Sequence, residues 1–218
     1  MSFQGNITIN PAQRRIHAAA LRLFAERDLT QISVSDLAAA AGVARSTIYN
    51  NIGRSGQLFD EVAAQLLHEM ISRTEQAAYP EDDMAQRLAS GIRFFLRRAY
   101  EEPLWGRFIN RFALSSASLY ALFASVPTRN LEEGVARGRY RLTMEQIPSA
   151  VAMIAGSVVA NIQLILEGHQ TWRTLGCHTA ELLLTAFGVP NDEAKALANR
   201  PLPQISFDET RIAGSVSP

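Results

Sequence analysis

Apolar residues recur at three- and four-residue intervals along nearly the whole chain, and caps, glycines and prolines cut the pattern into helices. Asn10-Pro11-Ala12-Gln13 supplies an N-cap and a proline at the first helical position, and Ile16, Ala19, Ala20, Leu23 and Phe24 then form one apolar stripe. Ser33-Val34-Ser35-Asp36 is a capping box that opens a second helix through Leu37, Ala38 and Ala41, and Gly42 ends it. After the turn Gly42-Val43-Ala44 a third helix runs over Arg45–Asn51, with Val43 and Ile48 facing inward. A long helix is expected from Ser55 or Gly56 to Tyr79, its face marked by Phe59, Val62, Leu66 and Met70, until Pro80 and Glu81-Asp82-Asp83 stop it. Met84, Leu88, Ile92, Phe95 and Ala99 mark the next helix, which ends before Pro103. Leu104–Ser115 and Leu119–Arg137 follow, the latter expected to break or kink at Pro127. Pro148–Leu166, Trp172–Phe187 and a short Asn191–Asn199 complete the set, with Gly188-Val189-Pro190 closing the penultimate helix.

The pattern predicts an all-α protein. Residues 1–55 form an N-terminal three-helix domain with a helix-turn-helix, residues 56–199 a larger helical domain, and residues 200–218 a tail without periodicity. Residues 1–9 read as a lead-in. The helix over residues 56–79 is long enough to pass from one domain into the other and would link them mechanically.

The short helix after Gly42 carries one guanidinium, two hydroxyls, a phenol and two amides, on Arg45, Ser46, Thr47, Tyr49, Asn50 and Asn51. That donor and acceptor set suits base edges and phosphates in a major groove, and the spacing is that of a helix-turn-helix. Arg45 at the helix entry can reach a guanine edge with two parallel hydrogen bonds. Thr47, Tyr49 and Ser33 end in hydroxyls that suit phosphate oxygens.

Leu37-Ala38, Ala41-Gly42-Val43 and Ser46-Thr47-Ile48-Tyr49 in this register resemble the DNA-binding segment of the TetR family of bacterial transcriptional regulators. The resemblance covers about residues 10 to 60; beyond them only helix layout and length are similar. It implies a homodimer that binds a palindromic double-stranded DNA operator, and a cavity in the second domain for a small, largely apolar effector. The chain departs from the family pattern at Ala44, where a capping Ser is common, at Asn51-Ile52, which replaces an aromatic pair, and at Ser55-Gly56, which replaces Lys-Glu. The phosphate contact of that lysine is then expected to be missing or to have moved to Arg54. These departures motivate an alternative, a helical binding or scaffold module that keeps the helix-turn-helix and has weak or no operator affinity.

Composition changes this picture little. The 218 residues are 47% hydrophobic, enough for a sizeable core, and 21 basic residues balance 21 acidic ones. No global basic field advertises nucleic acid, so a DNA contact must be local. Cys177 is the single cysteine, which excludes an intramolecular disulfide, and no secretory leader pattern opens the chain, so the cytoplasm is the expected compartment. His17, His68, His169 and His178 lack metal-ligand spacing, and no phosphate loop, nucleophile elbow or dinucleotide fingerprint appears; neither enzyme activity nor a cofactor is expected.

Two surfaces of the second domain attract attention. Phe95, Trp105, Phe108, Phe112 and Phe123 form aromatic stripes that pack a core or, as the family resemblance implies, line the effector cavity together with Met153, Ser157 and Asn161. Pro148–Leu166 carries no charge and is long enough to span a membrane, but Ser149, Ser157, Asn161 and Gln163 interrupt it. Ala152, Gly156 and Ala160, four apart, let two helices touch closely. With Leu175 and Leu182 of the following helix they are expected to form a dimer interface. Arg137, Arg139 and Arg141 read as a solvated, partly disordered loop, with anion binding as the other possibility.

Overall fold

The computed structural model describes residues 11–27, 32–51, 59–60, 63–64, 70 and 83–202. Among them are nine α-helices, one 3-10 turn and no strand. The expected lead-in, Arg54, most of the helix expected over residues 56–79, and the tail beyond Leu202 lie outside the described residues. Of that long helix, Phe59, Asp60, Ala63, Ala64 and Met70 are described and helical, and Ala63 and Met70 are buried.

The first three helices form the N-terminal unit. Helix α1 (Pro11–Glu26) buries Ile16, Ala19, Ala20, Leu23 and Phe24. Helix α2 (Val34–Ala41) starts at the expected capping box and ends at Gly42, whose φ of 61° is left-handed and therefore favours glycine. Helix α3 (Arg45–Asn51) follows and inserts Ile48, 3% exposed, against α1 and α2. In its first turn the Thr47 N–H donates to the Ala44 carbonyl at 2.9 Å.

Helix α4 (Met84–Glu101) is the hub of the larger unit. Asp83 caps it by accepting the Gln86 N–H at 2.8 Å, and residues on nearly every side of it are buried. It packs against α5 (Pro103–Phe112), α6 (Ala117–Ala136), α7 (Ile147–Leu166), α8 (Trp172–Ala186) and α9 (Asn191–Asn199). Pro103 at the first turn of α5 loses no helical hydrogen bond, which permits the abrupt turn from α4. Gly106 lets the two helices close: a Cβ there would stand 3.1 Å from the Ala99 carbonyl oxygen.

Two expectations are corrected. Pro127 does not break α6: the helix runs from Ala117 to Ala136 across the proline, which cannot donate to the Phe123 carbonyl. The arginine-rich loop is packed at Arg139 and Tyr140, while Arg137 and Arg141 are exposed as expected. Arg139 donates to Asp83 at 2.9 Å and to Glu193 at 2.7 Å, and although burial opposes it, those two carboxylates raise the guanidinium above its ordinary pKa. Tyr140 is buried against Gly134 and Phe187 and donates its hydroxyl to Asn130, and burial pushes the phenol's pKa well up. Arg139 is thus a strut joining the start of α4 to α9, and its charge is already engaged.

Candidate nucleic-acid interface and effector region

The reading head is a small, locally fixed structure. Ser33 accepts the Asp36 N–H at 3.1 Å, and the Asp36 carboxylate accepts the Ser33 N–H at 3.0 Å and the Ser33 hydroxyl at 2.5 Å. These bonds from Ser33, with a lesser contribution from Arg27 at 3.7 Å, hold Asp36 below the usual carboxylate range. Because its proton is already donated to Asp36, the Ser33 hydroxyl serves α2 as a cap. On α3, Arg45, Ser46, Tyr49 and Asn50 are exposed, Tyr49 by 67%, while Thr47 is half-buried. Asn51 closes the helix. An exposed tyrosine on a helix whose opposite side is pinned by Ile48 is a surface waiting for a partner.

Two aromatic groups meet on α5, and they divide the residues expected to line one cavity. Phe108 and Phe112 stack with Phe24 of α1 and with Phe59: ring centroids are 6.4 Å apart for Phe24–Phe108, 5.6 Å for Phe59–Phe108 and 5.0 Å for Phe59–Phe112. This cluster joins the N-terminal helices to the larger unit. Two hydrogen bonds reinforce it, from Arg111 to the Arg27 carbonyl at 2.9 Å and from the Ser118 hydroxyl to Asp60 at 2.6 Å. The second group belongs to the larger unit alone. Phe95 of α4 lies 5.5 Å from Trp105 of α5 and 5.2 Å from Phe123 of α6, and the Arg98 guanidinium sits 4.8 Å above the Trp105 ring while donating to Glu102 at 3.2 Å.

The remaining expected lining residues lie on α7. Asn161 is tied to Thr179 of α8 at 2.6 Å, and Ser157 is half-buried. Met153 does not join either aromatic group; it is 48% exposed, on the side of α7 that carries Ala152, Gly156 and Ala160. That side continues onto α8, where Leu182 is 70% exposed and Leu175 half-buried. Of the most apolar stretch of Met144–Leu166, 44% is buried. Periodicity placed Phe24 on the buried stripe of α1 but did not single out Arg98 or Ser118, because each owes its position to residues distant in sequence or to an adjoining helix turn.

Family comparison decides what this arrangement is. The family model for bacterial regulatory proteins of the tetR family matches residues 16–62, and that for the tetracyclin repressor-like C-terminal domain matches residues 83–200, more than half of the chain. The chain belongs to the TetR family. It is therefore a transcriptional regulator with a helix-turn-helix DNA-binding domain and a ligand-binding C-terminal domain. Solved TetR-family structures agree in fold. RolR in complex with resorcinol is 26% identical with a TM-score of 0.69, covering 89% of this chain and 96% of that one. A family regulator from Shewanella sp. PV-4 gives a TM-score of 0.73 at 17% identity, covering 83% and 100% of the two chains. FadR from Bacillus subtilis, in complex with stearoyl-CoA, gives 0.67 at 20% identity, covering 81% and 98%. No curated protein is significantly similar by sequence.

Proposed function

We propose that this TetR-family protein is a cytoplasmic repressor that binds a palindromic operator as a homodimer and releases it when a small, largely apolar effector occupies the C-terminal domain. The observation that carries this reading is the exposed polar face of α3, with Arg45, Ser46, Tyr49 and Asn50 held clear of the core by the buried Ile48. One such helix reads a half-site, so the operator's symmetry requires a second copy. The uncovered apolar side of α7 and α8, including Ala152, Met153, Gly156, Ala160 and Leu182, supports that pairing. Effectors of two chemistries are precedented among similar folds, a phenol in RolR and a fatty acyl thioester in FadR.

Arg45 is proposed to read a base edge, with Tyr49 and Thr47 on phosphates and Arg54 as a cationic phosphate contact; Ser33 is left to its capping role. Gel shifts with DNA from upstream of the protein's own gene test the reading. Arg45→Ala should narrow the gap between operator and random DNA by roughly 1–3 kcal/mol, whereas Tyr49→Phe should weaken both alike. No shift on any upstream fragment would favour the scaffold alternative, which the cap-less Ala44 start of α3 motivates. Assembly has its own check. Among the described residues no atom lies within 4 Å of a Cβ placed at Gly156, so Gly156→Arg should spare the subunit fold and give monomers by sedimentation. A dimer unperturbed by this change would move the interface elsewhere.

A further inference from the structure

Trp105 is fully buried, and among the described residues its indole N–H has no hydrogen-bond acceptor. A buried donor left in that state is destabilising, and native proteins leave few buried polar groups so. The surroundings indicate what that partner is. Aromatic faces from three helices, Phe95, Trp105 and Phe123, adjoin one another at centroid distances of 5.2 and 5.5 Å. Phe95 is only half-buried, and one turn before it on the same side of α4 stands Gly91, where no heavy atom of the described residues lies within 4 Å of an added Cβ. The positive charge nearby, on Arg98, is already balanced by Glu102 at 3.2 Å.

Building on the effector reading above, we propose that the Trp105 N–H is the polar anchor of the effector site, and that the effector is a flat aromatic molecule with a neutral oxygen acceptor, such as a phenol or an aryl ketone. A ring can take edge-to-face positions against Phe95 and Phe123, which an aliphatic chain cannot reproduce. An oxygen lone pair completes the indole donor. A carboxylate would gain little from Arg98 and would be set beside Glu102.

Calorimetric titration of the full chain with 4-methylphenol and toluene tests this, with Trp105→Phe as the variant that keeps a flat ring and removes the N–H. The wild type should bind 4-methylphenol more tightly than toluene, and Trp105→Phe should weaken 4-methylphenol at least tenfold while leaving toluene unchanged. Equal binding of 4-methylphenol by both proteins overturns the anchor. Parallel loss of both compounds also overturns it, since the ring and not the donor would then matter. A wild type that binds neither aromatic overturns the ligand class; stearoyl-CoA, titrated alongside, tells whether an effector site exists for other chemistry.

Discussion

Helix α5 presents aromatic side chains to two different neighbourhoods, and the contrast separates packing from recognition. Phe108 and Phe112 pack against other rings, Phe24 and Phe59 among them, with the Arg111 guanidinium 5.2 Å above Phe112 on the rim, and neither carries a polar group that needs a partner. Trp105, one turn earlier, meets Phe95, a buried arginine and an unfilled hydrogen-bonding requirement of its own. The first arrangement is complete as it stands and the second is not. Because both groups ride on one short helix, a shift of α5 at Trp105 is carried directly into the ring cluster that holds α1. A ligand can move operator affinity only by favouring one of two such arrangements, so on the function proposed above this helix would be a physical route between the sites. It adds to the route expected through residues 56–79.

The sharpest way to break the contrast is to truncate one ring on each side. Phe108 is fully buried, and Phe108→Ala should cost about 3–5 kcal/mol, lowering the melting temperature and operator affinity together. Phe95 is half-buried, and Phe95→Ala should cost roughly 1–2 kcal/mol while changing effector response with operator binding retained. Phe112→Ala should follow Phe108, since Phe112 shares the junction. Thermal melts and operator titrations on the same preparations decide the matter. If Phe95→Ala abolished operator binding as completely as Phe108→Ala, the two groups would be one core.

A smaller effect is expected from the hydrogen bonds that cross the junction. Ser118→Ala removes the bond to Asp60 and should cost no more than about 1 kcal/mol of stability. Its signature is in the coupling: the ratio of operator affinities without and with effector should shrink, while each ligand alone binds nearly as before. An unchanged ratio would leave the coupling to the ring cluster and the Arg111–Arg27 hydrogen bond.

What the sequence made legible follows the range of the interactions. Ser33, Asp36 and Gly42 define α2 through partners three to five residues away, and those caps stand where their residue types require. Ile16, Leu23, Ile48 and Ile92 are buried as periodicity demands. Periodicity says that a face is covered and not by what. Hence Trp105 and Phe108, three apart on one stripe, could not be assigned to separate clusters, and Met153 could not be told from the inward residues of its helix. Arg139 was misread for the same reason, since Asp83 and Glu193 lie more than 50 positions away on either side. Pro127 differs: a proline at that position is expected to break or kink its helix, and α6 continues across it with Phe123, Ala124 and Leu131 buried on either side, so the break does not follow from the proline alone.

An effect of similar size concerns the reading head, whose stability depends on a charge where the ring clusters' does not. Asp36 is held below its ordinary pKa chiefly by the Ser33 hydroxyl, then by the Ser33 N–H and Arg27. A carboxylate with a depressed folded pKa stabilises the protein fully above its unfolded value of about 3.9, and that stabilisation is lost as pH falls through the folded value. Ser33→Ala should therefore lower stability by about 1 kcal/mol at neutral pH, the usual cost of a lost N-cap, and the deficit should narrow below about pH 4 as wild-type Asp36 takes up its proton. The Phe108→Ala deficit, resting on rings without a titratable group, should be the same at both pH values. Denaturant melts of the two variants and the wild type at pH 7 and pH 3 make the comparison. A Ser33→Ala deficit that did not change with pH would mean that Asp36 contributes nothing to the cap beyond what the Ser33 oxygen already supplies.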